Sequence, residues 1–168
     1  MRKWGSEEVK KIEVLMVCRA NICRSPMAEA LLAWHLRRAG LQRRVRVDSA
    51  GTHVARGGER PDARALRAVA SLGADAGRIR SRALLADDFE RHDHLVALDG
   101  GNHEHLRRSC PPALAHKLHL LLEFAPETGL LEVPDPYFGN QAGFERVLEL
   151  VNAGTAGLLL WLRRQHGF

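Results

Sequence analysis

The chain has 168 residues, of which 45% are hydrophobic and 27% are charged. This length and composition predict one folded domain of ordinary size and exclude an intrinsically disordered chain. The net charge is +5, the three cysteines cannot all pair with each other, and no signal peptide or bilayer-length apolar run is visible. We therefore expect a cytoplasmic protein without a membrane span.

The first predicted elements are a strand and a helix at the start of the domain. Residues 1–11 are polar and predict a flexible leader, and residues 12–168 are expected to form the single domain. Val14–Val17 is a short apolar run that predicts a buried strand. Ser25 then offers an N-cap hydroxyl, Pro26 suits the first helical position, and Gly40 is expected to end the helix.

A tight loop joins this strand to this helix. Backbone N–H groups of such a loop, together with the positive end of a helix, form an anion site. Cys18 lies at its start, where the helix terminus and a nearby arginine favour the nucleophilic thiolate, and Arg24 can clamp two oxygens of a phosphate-like anion. The alternative interpretation of Cys18 is a small buried apolar residue at a strand end. The residues that line the predicted phosphate loop are Arg19, Ala20, Asn21, Ile22, Cys23 and Ser25.

Strands and helices alternate along the rest of the chain. Further strands are expected at Val45–Asp48, Leu95–Leu98 and Lys117–Leu122. Further helices are expected at residues 61–73, 83–90, 101–110 and 143–164. Loops are expected at residues 49–60, 75–82 and 126–139. This order predicts an α/β three-layer sandwich with a central four-stranded parallel sheet, helices on both faces, and the phosphate-binding loop after the first strand.

Polar residues follow the predicted strands and indicate where the site lies. Ligands of parallel sheets bind at the carboxyl ends of the strands. Cys18 follows the first strand, Asp99 and Asn102 follow the third, and Asp135 follows the fourth. We expect all four to emerge at the same edge.

Several blocks of sequence resemble one known family in their order along the chain. These blocks are VCRANICRSPMAEA at residues 17–30, DSAGT at 48–52, Asp62-x-Arg64-Ala65, Asp88-Phe89, Asp99-x-x-Asn102, VPDPYFG at 133–139 and GFERVLEL at 143–150. Over about residues 12–160 the chain is similar to the low-molecular-weight protein tyrosine phosphatases, whose loop motif is C-x-G-N-x-C-R-S-P. The resemblance implies hydrolysis of phosphotyrosine and small aryl phosphates through a cysteinyl-phosphate intermediate, with no cofactor and no metal.

The resemblance also implies a role for individual residues. Cys18 attacks phosphorus, Arg24 and the loop amides bind the phosphoryl oxygens, and Asp135 is the general acid. Ser25 is expected to hydrogen-bond the thiolate, and Asn21 to hold the shape of the loop. Tyr137 and Phe138 are expected to wall the substrate pocket, although either could instead pack into its own loop. For Asp135 the alternative is an Asp-Pro turn.

Two departures from the family pattern affect the expected activity. Ala20 stands where the motif has glycine, so a positive φ there would cost about 1 kcal/mol or more. The stretch 53–56 carries no large aromatic residue, whereas many family members place one opposite the tyrosine wall. The resemblance also implies that Cys23 can form a reversible disulfide with Cys18; the alternative is packing beneath the loop, and both can hold.

Several alternatives remain for function and partners. A thioredoxin-coupled arsenate reductase shares the fold but needs a further cysteine pair, and only Cys110 is left over. Protein-arginine phosphatases tend to carry threonine at the position of Ile22. A non-catalytic module could bind anions or nucleic acid through the arginines at 37–46, but no aromatic residues are interleaved there, so a solvated face is the preferred interpretation.

The last two predictions concern the place of the paired histidines and the physiological partner. The pairs His92/His94 and His103/His105 are expected at the surface rather than around a metal. The expected partner is a phosphotyrosine-bearing protein, with a tyrosine kinase of polysaccharide export as one candidate that the resemblance suggests.

Overall fold

The centre of the molecule is a parallel sheet, seen in a computed structural model that describes residues 10–168. Its strands lie in the order β2-β1-β3-β4. They are β1 Ile12–Cys18, β2 Val45–Gly51, β3 His94–Ala97 and β4 Leu118–Leu120. Within the described residues the helices are α1 Arg24–Arg38, α2 Ala63–Ala70, α3 Asp88–Arg91, α4 Gly100–Ser109 and α5 Gln141–His166. The predicted three-layer α/β architecture is confirmed.

The strand β1 is buried on both faces, which explains its continuous apolar run. Val14 and Met16 face the larger core, which α1, α2 and α5 cover. Leu15 and Val17 face a smaller core on the opposite side, under α3 and α4. All four side chains are fully buried. The loop that follows β1 therefore emerges from one of the two central strands of the sheet.

All four strands differ from the predicted bounds by one to three residues, and tertiary contacts explain the ends of β2 and β4. β2 continues through Ser49 to Gly51, where a loop was predicted, because these residues pair in register with Met16–Cys18 of β1. β4 is shorter than predicted and gives way to a 3-10 helix at Leu121–Phe124. There Leu121 and Leu122 turn into the core that α5 covers.

The predicted helix at residues 83–90 was also wrong over most of its length. Only Asp88–Arg91 is helical, because Gly51 and Ala83 form a parallel β-bridge and the Leu84 N–H donates to the Gly51 carbonyl at 2.9 Å. This extended segment lies along β2 and supports the end of that strand, close to the phosphate loop.

The predicted leader lies mostly outside the described residues, which begin at Lys10. Lys10 and Lys11 are exposed and have no regular structure, and β1 begins at Ile12. Of the helices within residues 10–168, none combines the length and the apolar character needed to cross a bilayer.

The expectation that the histidines lie at the surface was wrong for His92 and His94, which are both buried. The ring of His94 packs against His119, Trp161 and His166, and its Nε2 lies 2.9 Å from Nε2 of His166. The end of α5 thus closes over β3 and β4 with aromatic and imidazole rings. Burial lowers the pKa of His94 to about 4, so this ring is neutral near pH 7.

Candidate active site

The loop between β1 and α1 is clamped from the side by the end of β2. The Cys18 carbonyl accepts from the Thr52 N–H at 2.9 Å, and the Arg19 carbonyl accepts from the His53 N–H at 2.8 Å. A Cβ on Gly51 would lie only 2.7 Å from the Arg19 carbonyl oxygen. Glycine at position 51 therefore lets the two backbones approach closely enough to fix the first half of the loop.

Asn21 provides the left-handed turn inside the loop. Its φ is 56°, the only positive φ among the described non-glycine residues. Asparagine tolerates this conformation better than most residues. Ala20 does not have a positive φ, so the cost expected for its methyl group does not arise.

The side chain of Asn21 also holds the loop from beneath. Its Oδ1 accepts from the Arg82 N–H at 3.0 Å. Its Nδ2 donates to Oγ of Ser25 at 2.8 Å and to Oγ of Ser49 at 2.9 Å. Asn21 therefore ties the loop to β2 and to the extended segment before α3.

Ser25 does not cap α1 as its position in the sequence predicts. The helix begins at Arg24, and its N-cap residue, Cys23, makes no side-chain capping bond. The Ser25 hydroxyl instead lies 3.0 Å from Sγ of Cys18. Asn21 Nδ2 donates to this oxygen, and the hydroxyl proton can point either at the sulfur or at the more distant Ala50 carbonyl oxygen, 3.5 Å away. A thiolate at Cys18 would thus receive a hydrogen bond at the positive end of α1.

Arg24 is the charged centre of the site and is only 3% exposed. Its Nη1 donates to Oδ2 of Asp99 at 2.6 Å and to the Val133 carbonyl at 2.9 Å. Its Nη2 lies 3.5 Å from Oδ2 of Asp135. The two aspartates that follow β3 and β4 therefore converge on the arginine of the loop after β1. Asn102, which was expected beside them, is buried in α4, where its N–H donates to Asp99.

Asp135 begins a segment, residues 135–139, that overhangs the loop; we call it the acid segment. Asp135 is 46% exposed, and its Oδ1 accepts from the Tyr137 N–H at 3.1 Å, which forms an Asx turn. The rings of Tyr137 and Phe138 meet edge to face at 4.9 Å, and Phe138 is 97% exposed. A carboxyl group and an aromatic wall are thus presented side by side.

The loop and the acid segment enclose a pocket of about 290 Å³. Its lining residues are Cys18, Arg19, Ala20, Ile22, Cys23, Arg24, Asp135, Tyr137 and Phe138. The predicted nucleophile, anion clamp, acid and aromatic wall therefore meet in one pocket, with Asn21 and Ser25 lying beneath its floor. Asp99 and Asn102 do not line it.

Two residues behind the loop were missed by the sequence reasoning. Glu29 of α1 accepts from the Ser49 hydroxyl at 2.8 Å, and burial raises the pKa of its carboxyl to about 7. Arg82 pairs with Asp48 at 2.9 Å and with Asp88 at 3.0 Å, and so holds β2 against α3. Asp48 and Asp88 both lie in the sequence blocks that resemble the family. Their presence there was a signal in the sequence that could have pointed to a shared basic partner such as Arg82.

The three cysteines are free and buried, but their surroundings differ. Burial, with contributions from the charges of Asp62, Cys18 and Asp135, raises the pKa of Cys23 to about 12, so it is a thiol near neutral pH. Cys110 belongs to the smaller core on the other face of the sheet. Within residues 10–168 no group of three or more histidine, cysteine or acidic side chains is arranged to hold a metal ion.

Comparison with known proteins gives one consistent result. Residues 13–167 match the family model described as low molecular weight phosphotyrosine protein phosphatase. A low molecular weight protein-tyrosine-phosphatase of Streptomyces coelicolor is 43% identical over 155 residues, which are 90% of this chain and 94% of that protein. A low molecular weight phosphotyrosine protein phosphatase of Schizosaccharomyces pombe is 38% identical over 80% of this chain and 86% of that protein. The crystal structure of a protein tyrosine phosphatase from Entamoeba histolytica superposes with a TM-score of 0.89 at 32% identity, covering 93% of this chain and 99% of that one.

Proposed function

The chain belongs to the family of low molecular weight phosphotyrosine protein phosphatases, and on that premise we propose that it hydrolyses protein phosphotyrosine and small aryl phosphates through a phosphocysteine. The observation that carries the proposal is the meeting of Cys18, Arg24 and Asp135 in one pocket. A nucleophile, an anion clamp and a proton donor are the three parts that this reaction requires.

In the first step the Cys18 thiolate attacks phosphorus. The S–P bond forms as the bond from phosphorus to the phenolic oxygen breaks, and Asp135 gives its proton to the departing phenolate. Arg24 and the loop N–H groups bind the three equatorial oxygens of the transferring group. Asp99 supports this role, because its short contact with Nη1 fixes the direction of the guanidinium.

In the second step water attacks the phosphocysteine. Asp135, now a carboxylate, accepts a proton from the water as the S–P bond breaks and inorganic phosphate forms. The sulfur leaves as a thiolate, which the Ser25 hydroxyl is placed to stabilise at 3.0 Å. The same hydrogen bond thus favours the nucleophile before the cycle and the leaving group at its end.

The aromatic wall supports phosphotyrosine as the substrate class. Tyr137 lines the pocket beside Asp135, and Phe138 extends the apolar surface outwards. A phenyl ring can pack against this wall while its phosphate reaches Cys18, whereas the shorter phosphoserine would leave the wall unused. Residues 53–56, where the family resemblance implies an aromatic residue on the opposite side, carry no large aromatic and do not line the pocket, so the aromatic wall contacts a substrate from one side.

We also propose a reversible redox role for Cys23. A peroxide oxidises the Cys18 thiolate to a sulfenic acid, and the Cys23 thiol condenses with it to form a disulfide and release water. Both sulfurs line the same pocket, which supports the pairing. The raised pKa of Cys23 makes this condensation slower than attack by an ordinary thiolate.

The alternative activities have less support. An arsenate reductase relay needs a further cysteine near Cys18, but Cys110 packs on the opposite face of the sheet. No structural feature of the arginines at residues 37–46 indicates that they bind nucleic acid. Three proposals rest on the family resemblance: that the protein is cytoplasmic, that its partner is a phosphotyrosine-bearing protein, and that this partner is a tyrosine kinase of polysaccharide export.

Hydrolysis of 4-nitrophenyl phosphate, with and without EDTA, tests the proposed function. Wild type is expected to turn over in both conditions, and Cys18→Ser to be inactive. The kcat of Asp135→Ala is expected to be lower by about 100-fold or more, because 4-nitrophenolate leaves readily without a proton but water attack on the phosphocysteine still needs the Asp135 carboxylate as a base. Trapping of phosphate on Cys18 in a quenched reaction with Asp135→Ala would identify the intermediate. Turnover that survives Cys18→Ser would refute the assignment of the nucleophile.

A further inference from the structure

The ion pair Asp62–Arg64 connects the phosphate loop to the acid segment. Asp62 caps α2, and its backbone N–H donates to the Ile22 carbonyl of the phosphate loop at 2.8 Å. Its carboxylate receives two parallel bonds from Arg64, from Nε at 3.0 Å and from Nη2 at 2.9 Å. This fork fixes the plane of the guanidinium relative to the loop that carries Cys18.

The outer side of the same guanidinium holds the acid segment. Arg64 Nη2 donates to the Tyr137 carbonyl at 3.0 Å, and Nη1 donates to the Gly139 carbonyl at 3.0 Å. The guanidinium carbon also lies 4.5 Å from the ring centroid of Phe144, a fully buried residue of α5. One side chain thus bonds both carbonyls and packs on the core where the segment joins α5.

The acid segment has little other support. Pro136 is buried, but Tyr137, Phe138 and Gly139 are all exposed. In the described part of the chain, Arg64 is the only side chain from outside the segment that hydrogen-bonds to residues 136–139. The remaining polar contacts are the Asx bond from Tyr137 N–H to Asp135, the turn bond from Gly139 N–H to the Pro136 carbonyl, and the 3.5 Å approach of Asp135 to Arg24. A loop with few buried contacts opens readily unless it is tied down.

We propose that Arg64, held by Asp62, is a positioning residue that keeps the carboxyl group of Asp135 over the phosphate loop for proton transfer to the leaving group. The inference rests on the proposed phosphatase function and adds a residue that touches neither substrate nor the reacting atoms. Its effect passes through the backbone of Tyr137, two residues beyond the acid. Loss of Arg64 therefore lowers the fraction of molecules in which the Asp135 carboxyl group lies within reach of the leaving-group oxygen, while Cys18 and Arg24 stay in place.

The dependence of rate on the leaving group separates this role from a general structural one. Phenolate leaves poorly and needs a proton, whereas 4-nitrophenolate leaves well without one. For Arg64→Met we expect kcat/KM to fall about 30-fold with phenyl phosphate and about 3-fold with 4-nitrophenyl phosphate. Arg64→Lys keeps the charge but not the fork, and is expected to show the same selective loss. Arg67→Met removes a charge from the next turn of α2, where Arg67 is exposed, and should leave both rates within about 2-fold.

A double-mutant cycle with Asp135→Ala completes the test. Once the acid is gone, its position no longer matters. With phenyl phosphate, Arg64→Met is therefore expected to lower kcat/KM of the Asp135→Ala protein by less than about 3-fold, compared with about 30-fold for the same change in wild type. Equal losses with the two substrates in both Arg64 variants, or full additivity with Asp135→Ala, would overturn the inference. Failure of the proposed function is a separate result, because it shows in wild type as no hydrolysis of either substrate.

Discussion

Glu29 allows a prediction whose size can be worked out from the structure. Its carboxylate accepts from the Ser49 hydroxyl inside the protein, and burial raises its pKa from 4.5 to about 7. Between these two pH values the folded state binds more protons than the unfolded state, so the free energy of unfolding falls as the pH rises. Each pKa unit corresponds to about 1.4 kcal/mol, and the loss between pH 4.5 and 8 is therefore about 3 kcal/mol.

Glu29→Gln removes this titration and retains an oxygen that can accept from Ser49. We expect the free energy of unfolding of Glu29→Gln, minus that of wild type, to increase by about 3 kcal/mol between pH 4.5 and 8. Urea unfolding at pH 4.5, 6, 7 and 8 measures both values, and the titrations of all other groups cancel in the difference. Glu145→Gln, the same change at an exposed position of α5, is the matched control. A constant difference for Glu29→Gln, or one that decreases with pH, would refute the reasoning.

Three further predictions concern the core, the histidine rings and Cys23. Gly157→Ala should lower the free energy of unfolding by about 3 kcal/mol or more, because its Cβ would lie 1.8 Å from the Phe124 carbonyl oxygen. The control Gly143→Ala, whose Cβ would have no neighbour closer than 3.9 Å, should change it by less than about 0.5 kcal/mol. Urea unfolding measures both. Burial lowers the pKa of His94 to about 4, so below pH 6.5 the folded state binds fewer protons than the unfolded state. Between pH 7 and 5 the free energy of unfolding of wild type should therefore fall by about 2 kcal/mol more than that of His94→Leu. Equal losses in the two proteins would contradict this. After treatment with peroxide, dithiothreitol should restore most aryl phosphatase activity to wild type but little to Cys23→Ser, and equal recovery would exclude the disulfide.

The sequence predicted the architecture because the apolar run of β1 and the alternation of strands and helices are local patterns. It failed where tertiary contacts decide the local structure. Ser49–Gly51 has low strand propensity, but β1 supplies the pairing partners that extend β2 through it. Likewise, His94 is polar in the sequence, but rings from β4 and from the end of α5, 72 residues away, bury it.

The meeting of Cys18, Arg24 and Asp135 in one pocket was predicted from the strand ends at which they lie and from the family resemblance. The spacing of a cysteine before a helix and an arginine six residues later indicates an anion site beside a possible nucleophile, and the resemblance supplied the proposed roles. Ser25 suits both a helix cap and a bond to sulfur, and its position alone could not decide between them. Arg64 stood in a motif block, but nothing in the sequence indicated that its guanidinium would meet the backbone of residues 137 and 139.

The contacts of Arg24 have a consequence for how the protein becomes active during synthesis. Its partners Asp99 and Val133 lie 75 and 109 residues further along the chain, and α5, which packs on α1, ends only at His166. A nascent chain that has already exposed Cys18 therefore lacks the groups that contact the arginine, and it also lacks Asp135, the proposed acid. Phosphatase activity is expected to appear only when the chain through the end of α5 has left the ribosome, so that a shorter nascent chain carries a cysteine but no working enzyme.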